Sequence, residues 1–240
     1  MEQNNPPKPE LKAILSDAFS YWNRTLSFQL IYSLLFFSLF FLGYLYLFQR
    51  FGLWEEYAKY LEVAKNDIPA LNEKMKEFAA LPQMGSFILS VFILLALLNP
   101  LNVGFYKIYR KIDLGEKPEL NDLFAGYLGF NFFKYFGFYL FWFIVFSYGN
   151  SLLVLGLVWI FITLFSVPLM FFMDVKTFDG IAITIKGLRR DFPTMVVALF
   201  VALLFGLSGI LLFGFGFLFT FPFWNAMIYS LYQHYFKELS

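Results

Sequence analysis

The feature that most constrains this chain is a series of long segments without a charged residue. They lie at 26–48, 85–106, 135–148, 151–173 and 194–233. About 20 apolar residues in a helix cross the hydrocarbon core of a bilayer, and in lipid an isolated segment satisfies its backbone hydrogen bonds only as a helix. The last run has 40 residues and is long enough for two helices. The segments therefore predict an all-α polytopic membrane protein with six transmembrane helices.

The composition agrees with a lipid environment and excludes several classes of function. Hydrophobic residues make up 60% of the 240 residues, whereas soluble domains are about 45–50% apolar. A formal charge of +1 does not supply the concentrated basic surface that nucleic-acid binding requires, so nucleic acid is not expected as a partner. The absence of Cys excludes disulfides, cysteine nucleophiles and cysteine-bound iron–sulfur clusters.

The chain divides into a short tail and one membrane domain. Residues 1–10 are polar and proline-rich and lack the basic and apolar regions of a secretory signal, so they predict a disordered cytoplasmic tail. Residues 11–240 are predicted as a single membrane domain whose six helices form three hairpins. The turn signal at 148–151 is expected to join the third and fourth helices.

Lys and Arg are distributed unevenly between the two sides of this predicted bundle. Of the 18 basic residues, 13 fall on the side that carries both termini, and the other five all lie in the loop at 50–85. Basic residues near spans accumulate on the cytoplasmic side. We therefore predict that the N- and C-termini are cytoplasmic.

The loop at 50–85 on the opposite side shows helical periodicity. Apolar residues recur at Trp54, Tyr57, Leu61 and Ala64 and, after Pro69, at Leu71, Met75 and Phe78. This spacing predicts two short amphipathic helices. They would form either a cap on the bundle or membrane surface, or a region that binds a partner.

Two recurring features predict an internal repeat of three units. An aspartate begins a segment typical of an interfacial amphipathic helix at Asp17, Asp122 and Asp179. A proline, which bends a helix by blocking a backbone hydrogen bond, occurs in the second, fourth and sixth spans at Pro100, Pro168 and Pro222. Each unit would contain an interfacial helix, a hairpin and this proline. Alternatively, the prolines reflect only their higher frequency in membrane helices.

The repeat also predicts where the last two spans are joined. Asp122 lies 27 residues before Gly149, so the matching turn after Asp179 is expected at 206–209. The alternative is 214–216, which divides the 40-residue run more evenly.

The predicted spans have no Asp, Glu, Lys, Arg or His in their central parts. Because such residues mark proton and ion pathways, an ion-driven pump is not expected. Uncharged polar residues do occur near the prolines, namely Asn99, Asn102, Thr163, Ser166, Thr220 and Asn225. They either satisfy backbone groups and join helices, or form a polar pocket for a lipid headgroup or small ligand.

Charged residues suggest contact with lipid and do not suggest catalysis. Lys186, Arg189 and Arg190 lie beside a predicted span and are expected to contact anionic headgroups. The single histidine, His234, cannot form a multi-histidine metal site, and no nucleophile motif or phosphate-binding loop occurs. We therefore predict no enzyme activity, no catalytic or metal-binding residues and no cofactor.

A family resemblance rests on the three lead-in aspartates and on motifs in the second half of the chain. These motifs are Val167-Pro168-Leu169, Met173-Asp174, Arg189-Arg190, Pro222 and Tyr229. The pattern resembles bacterial six-helix integral membrane proteins of unknown function, a group similar to the membrane domain attached to some glycerophosphodiester phosphodiesterases. The resemblance implies the bacterial cytoplasmic (inner) membrane.

No catalytic activity follows from this resemblance. The sequence contains no phosphodiesterase domain, so that activity is not expected. Similar chains from Bacteroidetes-type bacteria are sometimes labelled beta-carotene monooxygenase, but such oxygenases hold iron with four His and this chain has one.

Two functions are compatible with these observations. The first is a non-enzymatic scaffold or accessory subunit of the envelope, with membrane lipid and another membrane protein as partners. The second is binding or passage of lipid or another hydrophobic small molecule. A tightly filled interior would favour the first function, whereas an opening lined by Asn99, Asn102 and Asn225 would favour the second.

Overall fold

The computed structural model describes residues 9–64, 68–150 and 154–236, and every regular element within these ranges is a helix. The α-helices are α1 Leu11–Arg24, α2 Leu26–Arg50, α3 Leu53–Ala64, α4 Ile68–Ala79, α5 Met84–Leu98, α6 Asn102–Asp113, α7 Asn131–Asn150, α8 Val154–Ile162, α9 Ser166–Phe172, α10 Thr177–Ser208, α11 Phe217–Thr220 and α12 Phe223–Phe236. Short 3-10 helices lie at Asn99–Leu101, Leu120–Tyr127 and Gly209–Leu211.

Five segments of the described chain are long and apolar enough to cross a membrane. They are Leu26–Arg50, Met84–Asp113, Asn131–Asn150, Val154–Phe172 and Thr177–Leu211. Large apolar side chains on them face outward, as shown by Leu42 at 67% and Phe200 at 58% exposure. Such extensive apolar surface is unfavourable in water and suits lipid. The architecture is therefore that of an all-helical membrane protein.

The apolar helices form a closed ring in chain order. Helix α2 packs against α5, α5 against α7, α7 against α8, α8 against α10 and α10 against α11, and α11 returns to α2. At one end of the ring, α6 packs against both α9 and α12, and rings of Phe172 in α9 and Tyr232 in α12 stack at 5.1 Å. These three short helices close the centre of the ring at that end.

The described residues begin and end on the same side of the ring. Helix α1 packs along α12, where the Ser230 hydroxyl donates to the Ile14 carbonyl oxygen at 2.7 Å. His234 Nε2 and Asp17 Oδ2 lie 2.9 Å apart. The assignment of this side to the cytoplasm stays a prediction, and residues 1–8 of the predicted tail lie outside the described ranges.

A short helical segment precedes each of three long helices. The first is α1, which ends before Thr25, and the second is the 3-10 helix Leu120–Tyr127. The third is the beginning of α10, which is separated from the rest of that helix at Asp191, where φ is −158°. These lead-in segments pack on α12, α6 and α9, respectively. The second segment is a 3-10 helix, and the location of these segments at a membrane interface stays a prediction.

Asp122 holds the second lead-in segment against α6. The Glu119 N–H donates to Asp122 Oδ2 at 2.8 Å, and the ammonium groups of Lys107 and Lys111 lie 2.9 and 2.8 Å from its carboxylate oxygens. Asp122 is 2% exposed. Burial raises the pKa of its carboxyl group, but these three hydrogen bonds outweigh burial and hold the pKa below its usual range.

The three prolines singled out in the sequence all lie at or beside helix interruptions. Pro100 is inside the 3-10 helix Asn99–Leu101, and Pro222 separates α11 from α12. Pro168 is in the first turn of α9, just after the break that follows α8. Proline cannot donate the backbone hydrogen bond that would continue a helix, which accounts for these interruptions. The threefold repeat itself stays a prediction.

The turn predicted at 206–209 is wrong. Helix α10 continues to Ser208, and a 3-10 helix follows it. The chain reverses at 212–216, where Phe213 and Gly214 have φ values of 53° and 80°. The alternative at 214–216 therefore contains the turn. The distance of 27 residues between the aspartate and the turn, taken from the second unit, does not hold in the third.

The predicted turn lies instead where α10 packs on the returning chain, and Gly209 is the glycine that this contact requires. Thr220 Oγ1 donates to the Gly206 carbonyl oxygen at 2.8 Å, and a Cβ on Gly209 would overlap the backbone of Gly216. Small residues permit such close contact between membrane helices. Their presence marks the site where α10 meets the returning chain.

The remaining connections agree with the sequence to different degrees. Two helices, α3 and α4, occupy the loop at 50–85, as its periodicity predicts. Leu53, Tyr60, Phe78 and Phe87 form a small core between these two helices and α5. Of the turn predicted at 148–151, the first three residues belong to α7, which extends to Asn150, and the last residue lies outside the described ranges.

Candidate functional site

A partly enclosed cavity of about 310 Å³ lies inside the ring, beside the three proline-associated interruptions. Its wall is built from α2, α6, α7, α8, α9 and α12 together with the chain breaks between them. The breaks bring polar side chains into the interior because the regular helix ends there.

Three asparagines form a hydrogen-bonded row along one wall. Asn102 Oδ1 accepts from the Tyr32 hydroxyl at 2.8 Å and from Asn225 Nδ2 at 2.9 Å. Asn102 Nδ2 donates to Asn99 Oδ1 at 3.0 Å, and Asn99 Nδ2 donates to the Leu95 carbonyl oxygen at 2.8 Å. The row joins α2, α5, α6 and α12, so it also contributes to helix association.

A second polar group joins α7 to α8. Trp142 Nε1 donates to Thr163 Oγ1 at 2.8 Å, and Thr163 Oγ1 donates to the Trp159 carbonyl oxygen at 2.6 Å. Trp159 Nε1 donates back to the Trp142 carbonyl oxygen at 3.2 Å. These bonds orient the Trp142 ring along the cavity wall.

The rest of the wall is mainly aromatic and aliphatic. It includes Phe36, Phe138, Phe143, Phe221 and Trp224, and none of the described residues that line the cavity is charged. Apolar walls with a few convergent polar groups are typical of small-molecule sites, which commonly begin at about 300 Å³. The cavity can therefore hold a small, mainly apolar molecule and orient it through one polar end.

Four of the six predicted pocket residues line this cavity, namely Asn99, Asn102, Thr163 and Asn225. The other two do not. Thr220 bonds to the backbone of α10. Ser166 is fully buried facing Gly180, and its hydroxyl has no hydrogen-bond partner among the described residues.

The predicted headgroup contacts lie outside the cavity, on the lead-in segment of α10. Lys186 and Arg189 are exposed, whereas Arg190 is half-buried. The Arg190 guanidinium lies 6.0 Å from the centre of the Tyr235 ring, a distance suited to a cation–π contact.

Sequence reasoning missed two cavity residues that a local signal could have identified. Tyr32 and Trp142 each place a hydrogen-bond donor within an apolar run, and buried tyrosine and tryptophan generally find a partner for that donor. It also missed the break at Asp191, for which Pro193 two residues later was a signal.

Comparisons with known protein families, curated proteins and solved structures give no match. Within the part of the chain that the structure describes, no three His, Cys, Asp or Glu residues are grouped so as to hold a metal ion.

Proposed function

We propose that this protein binds an uncharged, mainly apolar small molecule in the central cavity of a six-span membrane domain. The observation that supports this proposal is the cavity lined by Asn99, Asn102 and Asn225 among aromatic rings. A filled interior would have favoured the scaffold or accessory-subunit function. The open volume favours binding instead.

The lining indicates the charge of the ligand. A charged group buried in an apolar site needs a partner of opposite charge, and the residues around the cavity provide none. Asn225 donates through Nδ2, and its Oδ1 has no partner among the described residues. This oxygen accepts a hydrogen bond from a hydroxyl or amide end of the ligand. The aromatic wall accommodates the apolar body.

The proposal includes a topology with a sixth span. Helices α11 and α12 together cover 217–236, long enough to cross the bilayer, and Pro222 interrupts them as Pro100 interrupts the second span. The six spans would form three hairpins, each preceded by a lead-in segment at the interface of the bacterial inner membrane. The excess of Lys and Arg supports a cytoplasmic location for both termini.

Native mass spectrometry of the gently extracted protein tests the proposal. We expect a bound small molecule in the wild-type protein and its loss in Ile160→Trp, because Ile160 lines the cavity. The matched control is Val158→Trp, which places the same side chain on the outer surface of α8, where Val158 is exposed. Equal occupancy of the cavity in wild type and Ile160→Trp would refute the proposal.

A second variant separates ligand binding from structural support. Asn225→Leu removes the free carbonyl oxygen and one bond to Asn102. If Asn225 binds ligand, the variant loses the ligand but keeps its yield of folded protein. A loss of folded protein with unchanged ligand per folded molecule would instead assign Asn225 a structural role.

A further inference from the structure

A second candidate site lies on the lipid-facing side of α8, opposite the cavity. It is a groove of about 450 Å³ between α8 and α10, lined almost entirely by aliphatic and aromatic side chains. Leu157, Val158 and Phe161 form one wall, and Leu188 and Phe192 form the other. Helix α8 therefore separates two sites, one facing the interior and one facing the surrounding lipid.

Positive charge is concentrated at the α10 side of this groove. Arg189 is the one charged residue among the described residues that line it, and Lys186 lies one turn earlier on the same helix. Both side chains are exposed, and neither makes an ion pair or hydrogen bond within the described ranges of the chain. The neighbouring carboxylate, Asp191, is 5% exposed and accepts a hydrogen bond from the Tyr235 hydroxyl at 2.9 Å.

The combination of an apolar groove and an adjacent guanidinium fits one class of ligand. In a bilayer, acyl chains fill a groove without polar groups, because water would gain no hydrogen bonds there. Arginine presents a planar set of donors suited to the oxygens of a phosphate, and its aliphatic stem can lie along apolar surface while the charged end reaches the headgroup region.

We propose that this groove binds an anionic phospholipid, with an acyl chain between α8 and α10 and the phosphate on Arg189. Lys186 adds a second positive charge near the headgroup. The site would hold the lead-in segment of α10 against the membrane and is independent of the ligand in the central cavity.

Native mass spectrometry in mixed micelles tests this site, with phosphatidylglycerol and phosphatidylcholine of the same chain length as probes. The wild-type protein should retain phosphatidylglycerol preferentially. Each basic residue near the headgroups contributes about 1 kcal/mol, so Arg189→Gln should weaken retention of this lipid about fivefold. The matched control is Arg24→Gln, since Arg24 is exposed at the end of lead-in helix α1 and does not line the groove.

A variant of the groove itself supplies an independent test. Val158→Trp should fill the groove and reduce retention of phosphatidylglycerol without changing any charge, whereas Ile160→Trp should leave that retention intact. An equal loss in Arg24→Gln and Arg189→Gln would show unspecific attraction and overturn the proposal. Unchanged retention in Val158→Trp would also overturn it, because the acyl chain would then lie elsewhere.

Discussion

Gly104 in α6 is expected to be among the residues least tolerant of an added methyl group. A Cβ at this position would overlap the carbonyl oxygen, carbonyl carbon and Cα of Leu123 in the second lead-in segment. The obstacle is backbone, which cannot rotate away as a side-chain end could. A second close contact, between Gly126 and the Pro100 carbonyl oxygen, holds the same lead-in segment against the 3-10 helix Asn99–Leu101. Gly104→Ala therefore forces the lead-in segment away from α6.

Overpacking of this kind costs about 1–3 kcal/mol, and the clash with backbone places Gly104→Ala at the upper end of that range. Each kcal/mol lowers the unfolding midpoint of a chain of this size by about 2–4 °C. Thermal unfolding in mild detergent, followed by tryptophan fluorescence, should therefore show a decrease of about 6–12 °C.

The control for this experiment is Gly137→Ala. Gly137 lies within α7 and has nothing within 4 Å of an added Cβ. Alanine is favoured over glycine in a helix by about 0.5–1 kcal/mol, so this variant should be slightly more stable than wild type. Equal midpoints for Gly104→Ala and Gly137→Ala would refute the packing of the lead-in segment on α6.

Three further predictions use the same unfolding assay. Asp122→Asn should lower the unfolding free energy at neutral pH by about 2 kcal/mol by removing charged hydrogen bonds. Because the pKa of Asp122 is lowered, its stabilisation is present above about pH 4 and is lost as the pH falls through that lowered pKa, so the variant should lose less stability in acid. Thr163→Val should cost about 1 kcal/mol and change the Trp142 emission, since the indole N–H loses its acceptor. Gly214→Ala should cost about 1 kcal/mol because of its positive φ, whereas Gly206→Ala in the helix should not destabilise.

Features that depend on neighbouring residues could be read from the sequence. The uncharged runs predicted the apolar helices, and Pro100, Pro168 and Pro222 identified the interruptions because proline acts on the backbone of its own turn. The helices of the loop at 50–85 followed from periodicity alone. In each case the physical cause lies within a few residues of the feature.

Features that depend on tertiary packing could not be predicted in this way. Asn99 and Asn225 are polar residues near prolines, and so is Thr220, yet the first two line the cavity and Thr220 bonds to α10. Their roles are decided by the order in which the helices close the ring. The turn predicted at 206–209 is wrong for a related reason, since Gly209 could mark either a bend or a close helix contact, and the sequence does not distinguish the two.

The packing of the lead-in segments connects the fold to the proposed cavity. The second segment packs on α6, which ends the preceding pair of spans. The third segment packs on α9, which likewise ends the pair of spans before it. The first segment, α1, has no preceding pair and packs on α12, which ends the last pair in the proposed six-span topology. Three units of similar design would produce this cyclic order, and each would bring its proline-associated interruption to the centre of the ring. An interior assembled from three interrupted helices cannot be filled by regular helix packing, which gives a physical reason for a polar cavity at that level.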